Sequence, residues 1–115
     1  MTNFCNLEEE FSSLERSAVA IVPVPYDETS TWIRGSDRGP AAMIEASANL
    51  EMYDIETDSE VYRRGIHTDR AVVEKRSPEA MVEAVRRRVE DHIGKGRFAV
   101  VLGGEHTVCV GAVKA

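Results

Sequence analysis

Two glycines, a glutamate and a histidine stand together near the end of the chain, in the segment Gly103–Thr107. Paired glycines allow a tight turn and a close approach of the backbone to a ligand. The side chains of Glu105 and His106 can both bind a metal ion, and both can transfer protons. The pattern alone leaves a structural, hydrogen-bonding role for His106 open. A phosphate-binding loop is the weaker alternative, because the common glycine-rich phosphate motifs are absent.

A long polar segment, residues 26–38, follows the apolar run 18–24. If that run is a strand of a parallel sheet, the segment lies at its carboxyl end, where open α/β sheets bind ligands. Asp27 and Glu28 are therefore candidate ligand contacts. We expect Tyr26 and Trp32 to anchor the loop by packing back on the domain, with cation–π binding of a cationic ligand as the alternative.

The two other histidines have simpler interpretations. His92 falls near the C-terminal end of a predicted helix, where a partly charged imidazole interacts favourably with the helix dipole. His67 and Asp69 would form a metal site only with ligands from elsewhere, so we expect a surface turn there. The basic run Arg86–Arg88 is interpreted as a solvated helix face or a subunit contact.

Two continuously apolar runs, Ala18–Val24 and Arg97–Leu102, predict strands that are buried on both faces of a parallel sheet. The segment Val61–Val73 leaves room for one or two short strands. Helical patterns separate these runs, and the alternation predicts an α/β fold with helices on both faces of a largely parallel sheet. Sheets usually contain about 4–6 strands. We therefore expect residues 1–115 to be a fragment, or the first half, of one larger domain.

Two helices are predicted between the strands. The first opens at Gly39-Pro40, because proline suits the first helical position. Its apolar residues recur at three- and four-residue steps, at Met43, Ala46, Leu50 and Tyr53. The second begins after Ser77, a favourable N-cap, and ends at Gly94. Its apolar face is predicted from residues four apart, namely Met81, Val85, Val89 and Ile93.

Composition narrows the class of protein. The net charge is −6, which disfavours nucleic acid as a partner because phosphate binding needs a basic surface. No apolar run approaches the roughly 18 residues that a membrane span requires. The two cysteines, Cys5 and Cys109, lie far apart and form no disulfide or zinc motif, so we expect a cytoplasmic protein without membrane contacts.

Three segments in order, VPVPYDETST, GSDRGPAAMIEASANLEMYD and RFAVVLGGEHTV, resemble the N-terminal part of the ureohydrolase family, in its agmatinase branch. The resemblance implies a three-layer α/β/α sandwich with a mostly parallel sheet and two manganese ions at the strand ends. It implies that His106 ligates one of these ions. A hydroxide that bridges the ions would attack the guanidino carbon of agmatine, and urea and putrescine would be released, as in polyamine biosynthesis.

Two departures limit what the resemblance implies. Many relatives have a Tyr-Arg-Pro-Gly sequence where this chain has TWIRGSDRGP, so no substrate role is transferred to Trp32 or Arg34. The family's Asp-x-His-x-Asp and later Asp-x-Asp segments do not occur before Ala115, so the 115 residues alone should be inactive. The complete protein is expected to be a homo-oligomer that acts on a small cationic guanidino substrate. The alternative is a non-catalytic half-domain that needs a partner chain.

Overall fold

The computed structural model describes residues 2–115. Within them, three strands form one parallel sheet. The strands are β1 (Val19–Val24), β2 (Ile66–Thr68) and β3 (Phe98–Gly103). Their spatial order is β2-β1-β3, so β1 is paired along both edges. The predicted strands are confirmed to within one residue at each end, and the ambiguous segment 61–73 contributes the short β2 after a 3₁₀ turn at Val61–Arg64.

Helices cover both faces of this sheet. They are α1 (Glu9–Ser12), α2 (Gly39–Ser47), α3 (Pro78–Gly94) and α4 (Val108–Lys114). Val22 and Val24 of β1 are buried in a cluster with residues of α3 and α4, whereas Pro23 faces the same cavity as Ile44 of α2. Because successive side chains of a strand point to opposite faces, α2 lies on one side and α3 and α4 on the other. The predicted α/β class is confirmed. None of the helices within residues 2–115 is both long and apolar enough to cross a bilayer.

Helices α3 and α4 approach almost to backbone contact. A Cβ atom added to Gly111 of α4 would lie 2.6 Å from the carbonyl oxygen of Val82 and 2.7 Å from Cβ of Val85 in α3. Only glycine leaves enough room at this crossing. The close contact fixes the start of α4, and so the loop before it, against the longest helix.

The predicted apolar face of α2 is wrong. The helix is nine residues long, and its buried residues are Pro40, Ile44 and Ser47. Met43 is 43% exposed, because one residue earlier on a helix means a rotation of about 100° away from the sheet. Leu50 and Tyr53 lie beyond the end of the helix and are exposed.

The apolar face of α3 is confirmed for Met81, Val85 and Val89 but not for Ile93. Ile93 lies about 120° around the helix from Met81, past Val89 at about 80°, because an α-helix has 3.6 residues per turn. His92 lies about 20° from Met81, within the buried face, and is buried. The predicted N-cap is confirmed, since Ser77 Oγ accepts a hydrogen bond of 3.1 Å from the Ala80 N–H.

Candidate functional site

The loops that follow β1 and β3 meet at one edge of the sheet. The two strands are parallel neighbours, so their carboxyl ends lie side by side, and the backbone contacts continue past the strands. The N–H of Gly104 donates to the Val24 carbonyl at 3.0 Å, and the N–H of Glu105 donates to the Tyr26 carbonyl at 3.1 Å. The polar segment 26–38 and the Gly-Gly-Glu-His segment are thereby joined at the carboxyl edge of the sheet.

Gly104 allows this backbone contact between the two loops because it has no side chain. A Cβ atom on Gly104 would lie 2.0 Å from the carbonyl oxygen of Tyr26, whereas one on Gly103 would lie 3.4 Å from the nearest atoms of Val108. The paired glycines were expected to admit a ligand close to the backbone. At Gly104 the structure shows a different use, which is the approach of the first loop's own backbone.

The carboxylate of Glu105 ties the two loops together. Its Oε2 atom accepts a hydrogen bond from the N–H of Thr29 at 3.1 Å and one from the hydroxyl of Ser30 at 3.0 Å. The hydroxyls of Thr29 and Thr107 are 3.2 Å apart. Oε1 of Glu105 is buried, with no hydrogen-bond partner among the described residues. The residue type made Glu105 capable of metal binding or proton transfer, and the structure shows it as a link between the two loops.

His106 is exposed and opens onto a cavity of about 460 Å³ between the two loops. Hydroxyl side chains dominate the polar part of the lining, and they come from Thr29, Ser30, Thr31, Ser36 and Thr107. Trp32, Ile33 and Glu105 complete most of the wall, and none of the described residues that line the cavity is a lysine or an arginine. The cavity therefore suits a ligand that carries positive charge and needs several hydrogen-bond partners.

A metal ion would find one suitable ligand here. Imidazole is a good ligand for manganese, and His106 is among the residues that line the open cavity at the strand ends. Within residues 2–115, no group of three or more His, Cys, Asp or Glu side chains is placed to hold a metal ion. These residues fit a metal centre only as the donor of one ligand.

Asp27 was a candidate ligand contact, but its own loop uses its carboxylate. Asp27 is 4% exposed, and it accepts hydrogen bonds from the hydroxyl of Ser30 and from the backbone N–H groups of Gly35 and Ser36. Glu28, the other candidate, lies outside this ring and faces Arg34 at 3.8 Å and Lys75 at 3.7 Å. Asp27 therefore shapes the loop and leaves ligand binding to other groups.

The two predicted loop anchors behave differently. Tyr26 is 2% exposed and belongs to the hydrophobic core, as expected. Burial raises the pKa of its phenol, and the negative charge of Glu105 raises it further, so Tyr26 stays protonated at neutral pH. Trp32 is 89% exposed, so the prediction that it packs back on the domain is wrong. The sequence could not show this, because the loop is closed by the buried Asp27 rather than by the indole.

The other histidines lie outside the site. His92 is 2% exposed, and its Nε2 atom is 2.9 Å from Oδ2 of Asp69. Burial raises the pKa of Asp69, but the hydrogen bond with His92 and the charge of Arg88 outweigh burial and hold it below its usual range. Arg88 is thus turned inward to Asp69, which differs from the predicted solvated face or subunit contact. Nδ1 of His67 is 2.9 Å from the carbonyl oxygen of Ser12, so His67 and Asp69 do not act as a pair.

Comparisons with known proteins agree with this geometry. The arginase family model matches residues 17–115. The chain is 34% identical over 113 residues to N(1)-aminopropylagmatine ureohydrolase of Synechocystis and 32% identical over 109 residues to the enzyme of that name from Thermus thermophilus. Agmatine ureohydrolase of Thermoplasma volcanium superposes with a TM-score of 0.87 at 26% identity.

The matches cover nearly all of this chain but little more than a third of each relative. The alignments cover 93% of this chain in both curated relatives and 98% in the solved structure. The chain spans about 37% of the length of the curated relatives and 38% of the solved chain. The family match covers most of the chain, including both loops of the candidate site. This chain belongs to the arginase family.

Proposed function

We propose that this chain is the N-terminal part of a manganese-dependent ureohydrolase of the agmatinase type. The enzyme would hydrolyse a guanidino C–N bond of agmatine and release urea and putrescine. The observation that carries the proposal is His106, which opens onto a cation-compatible cavity at the carboxyl end of β3. Relatives with this fold include an agmatine ureohydrolase, which supports the reaction class.

The cavity lining supports a guanidino substrate. A guanidinium group presents five N–H donors in one plane and carries a positive charge. Hydroxyl oxygens and the carboxylate of Glu105 lie around the cavity, and lysine and arginine are absent from its described lining. Oε1 of Glu105 is buried, so the hydroxyl oxygens are the acceptors that are open to a ligand. The site therefore has acceptors to spare for a cationic donor and no fixed cation to repel it.

His106 would hold one manganese ion, and we propose that the remaining ligands lie beyond Ala115. When bound, the ions would activate water as a nucleophile near neutral pH. The residues of this chain would prepare the site. Glu105 holds the first loop through Thr29 and Ser30 and thereby sets the position of the next residue, His106. Gly104 keeps the two loops in contact.

A test compares urea release by the complete protein with and without Mn²⁺, with agmatine and N(1)-aminopropylagmatine as substrates. His106→Ala should abolish most activity and weaken Mn²⁺ binding by more than the roughly 10–100-fold typical of losing a residue that hydrogen-bonds to a metal ligand. His67→Ala is the matched control, because His67 is only half-buried and bonds to Ser12 outside the site. His92 is a poor control because it is buried and paired.

Calorimetric titration with Mn²⁺ gives a readout independent of turnover. Unchanged Mn²⁺ affinity in His106→Ala would refute the ligand assignment. Urea release that needs no divalent metal would refute the metal-dependent reaction. Both variants should retain the folded circular dichroism spectrum of the parent protein, since neither imidazole belongs to the buried core.

The open edge of β3 favours a second candidate, a non-catalytic half-domain completed by a partner chain. Within residues 2–115, β3 pairs only with β1, and Phe98 on it is 71% exposed. The intact mass of the protein from its natural source decides between the two. A mass about three times 12.7 kDa supports the enzyme, since the chain spans 37% of its curated relatives. A mass near 12.7 kDa supports the half-domain.

We also propose that the complete enzyme is a cytoplasmic homo-oligomer. The free thiols of Cys5 and Cys109 support a reducing compartment. Cross-linking and size-exclusion chromatography of the complete protein test the oligomeric state, and a monomer at micromolar concentration would contradict it.

A further inference from the structure

Trp32 stands out as a large aromatic side chain that the fold leaves in solvent. It is 89% exposed, and its neighbour Ile33 is 72% exposed. Tryptophan usually buries most of its ring, and an apolar pair in solvent is a feature of binding sites. Both side chains line the same cavity as His106. These two exposed side chains therefore lie at the candidate site and not on a remote surface.

The loop holds Trp32 outward by bonds on both sides of it. The buried carboxylate of Asp27 accepts hydrogen bonds from Ser30, before the tryptophan, and from the N–H groups of Gly35 and Ser36, after it. Gly35 has a φ of +127°, a conformation that favours glycine. The loop is closed at its base, so residues 31–34 project from it. The outward position of the indole is thus built into the loop.

The surroundings of the indole suit an ammonium group. Arg34, the nearest cation along the chain, bonds to the Asp27 carbonyl and faces Glu28, away from the lining of this cavity. Glu105 contributes a carboxylate to the same wall. A cation over the face of an indole is attracted by the negative charge of the ring face, and tryptophan is the best aromatic residue for this. Ile33 adds an apolar surface for methylene groups.

We propose that Trp32 is a specificity residue that binds the ammonium-bearing tail of the guanidino substrate by a cation–π interaction, with Ile33 against its methylene groups. This inference rests on the proposed function and adds to it. It assigns to the first loop the selection of substrates with a cationic tail, while the guanidino end lies toward His106. A cavity of about 460 Å³ is large enough for both ends of such a molecule.

The test uses the complete protein loaded with Mn²⁺ and two ligands that differ in the tail. Agmatine carries a terminal ammonium group. 1-Butylguanidine has the same guanidinium group and four-carbon chain but lacks that ammonium group. Trp32→Ala should raise KM for agmatine by about two- to thirty-fold, the range of cation–π energies, with kcat little changed. Inhibition by 1-butylguanidine should weaken less. Trp32→Phe should give a smaller rise, since phenylalanine retains a weaker ring face.

Ile55→Ala is the control for loss of an exposed apolar side chain. Ile55 is 83% exposed and lies between α2 and β2, outside the cavity lining. This variant should leave both ligands unaffected. An unchanged KM for agmatine in Trp32→Ala would overturn the proposal. Equal weakening of agmatine and 1-butylguanidine would also overturn it, because the indole would then contact the methylene chain or the guanidinium group that both ligands share.

Fluorescence provides a second measurement that needs no catalysis. Trp32 is the only tryptophan of these 115 residues, so the difference in emission between the parent protein and Trp32→Phe reports on this indole. Agmatine should change that difference signal in protein without Mn²⁺, and 1-butylguanidine should change it less. If the parent protein releases no urea, the proposed function fails, and the titration still decides whether Trp32 binds the cationic tail. A flat titration with agmatine overturns the inference.

Discussion

Replacing Gly104 by alanine should destabilise the protein far more than the same change at the adjacent Gly103. A Cβ atom on Gly104 would lie 2.0 Å from the carbonyl oxygen of Tyr26 and 2.9 Å from its carbonyl carbon. A carbon atom and a carbonyl oxygen normally stay about 3.3 Å apart. The loops after β1 and β3 would therefore have to separate by more than 1 Å. At Gly103 the nearest atoms, both of Val108, are at an ordinary contact distance of 3.4 Å.

The size of the effect follows from what the separation breaks. The N–H groups of Gly104 and Glu105 bond to the carbonyls of Val24 and Tyr26, and each such bond contributes about 1 kcal/mol. Overpacking adds about 1–3 kcal/mol. Gly104→Ala should thus cost about 3–5 kcal/mol. Gly103→Ala should change stability by less than about 1 kcal/mol, because the added methyl makes ordinary contacts and alanine suits a strand better than glycine.

Denaturant titration of the two variants, followed by circular dichroism, measures both free energies of unfolding against the parent protein. The contrast matters more than either value, since the two changes are chemically identical and one residue apart. If Gly104→Ala unfolds at the same denaturant concentration as Gly103→Ala, the Tyr26 backbone does not lie as close to Gly104 as the structure shows. The arrangement of both loops would then need revision.

Two further predictions concern α3 and its partners. Asp69→Asn should lower stability at neutral pH, and its deficit relative to the parent should shrink as the pH falls below about 4. The depressed pKa of Asp69 means that its contribution is present above the unfolded value of 3.8 and is lost as pH falls through the folded value. A deficit that stays constant down to pH 2 in denaturant titrations would contradict this pairing. Ser77→Ala should cost about 1 kcal/mol through loss of the N-cap bond to the Ala80 N–H, whereas Ser77→Asp should retain most of it. Thermal unfolding checks the pair, and equal losses in both variants would argue against a capping role.

The framework of the fold was predictable because its signals are local. Continuous apolar runs marked β1 and β3, and Ser77 with Pro78 marked the start of α3. The buried face of α2 was not predictable in the same way. Met43 and Ile44 are equally apolar neighbours, and only the path of the chain into the sheet places Ile44 inward and Met43 outward.

The site was predictable in its location and less so in its roles. Both loops follow predicted parallel strands, so both were expected at the carboxyl edge of the sheet. That β1 and β3 are neighbours, which brings the first loop next to Glu105 and His106, is seen only in the structure. The role of Asp27 depends on a turn that returns to it eight and nine residues later, and no local pattern indicated that closure. The hydroxyl of Ser30 was the available signal for a side-chain hydrogen bond to Glu105, since loop hydroxyls need partners. The bond from Thr29 comes from its backbone N–H, which the residue type does not indicate.

The central position of β1 has a consequence for how the chain folds. Val19 pairs with Ile66 on one side and with Phe98 on the other, so both partners of the first strand are synthesised long after it. The β1–β3 pairs are separated by about 80 residues, and closing so long a loop costs entropy before any contact repays it. Sheets built from such distant pairs fold slowly.

During synthesis, the apolar run of β1 therefore emerges from the ribosome without either neighbour. At about 5–20 residues per second, it waits several seconds for β3. An apolar strand with two unpaired edges is prone to aggregate during that time. The same residues that make β1 the centre of the finished sheet make this early segment the one most in need of chaperone protection.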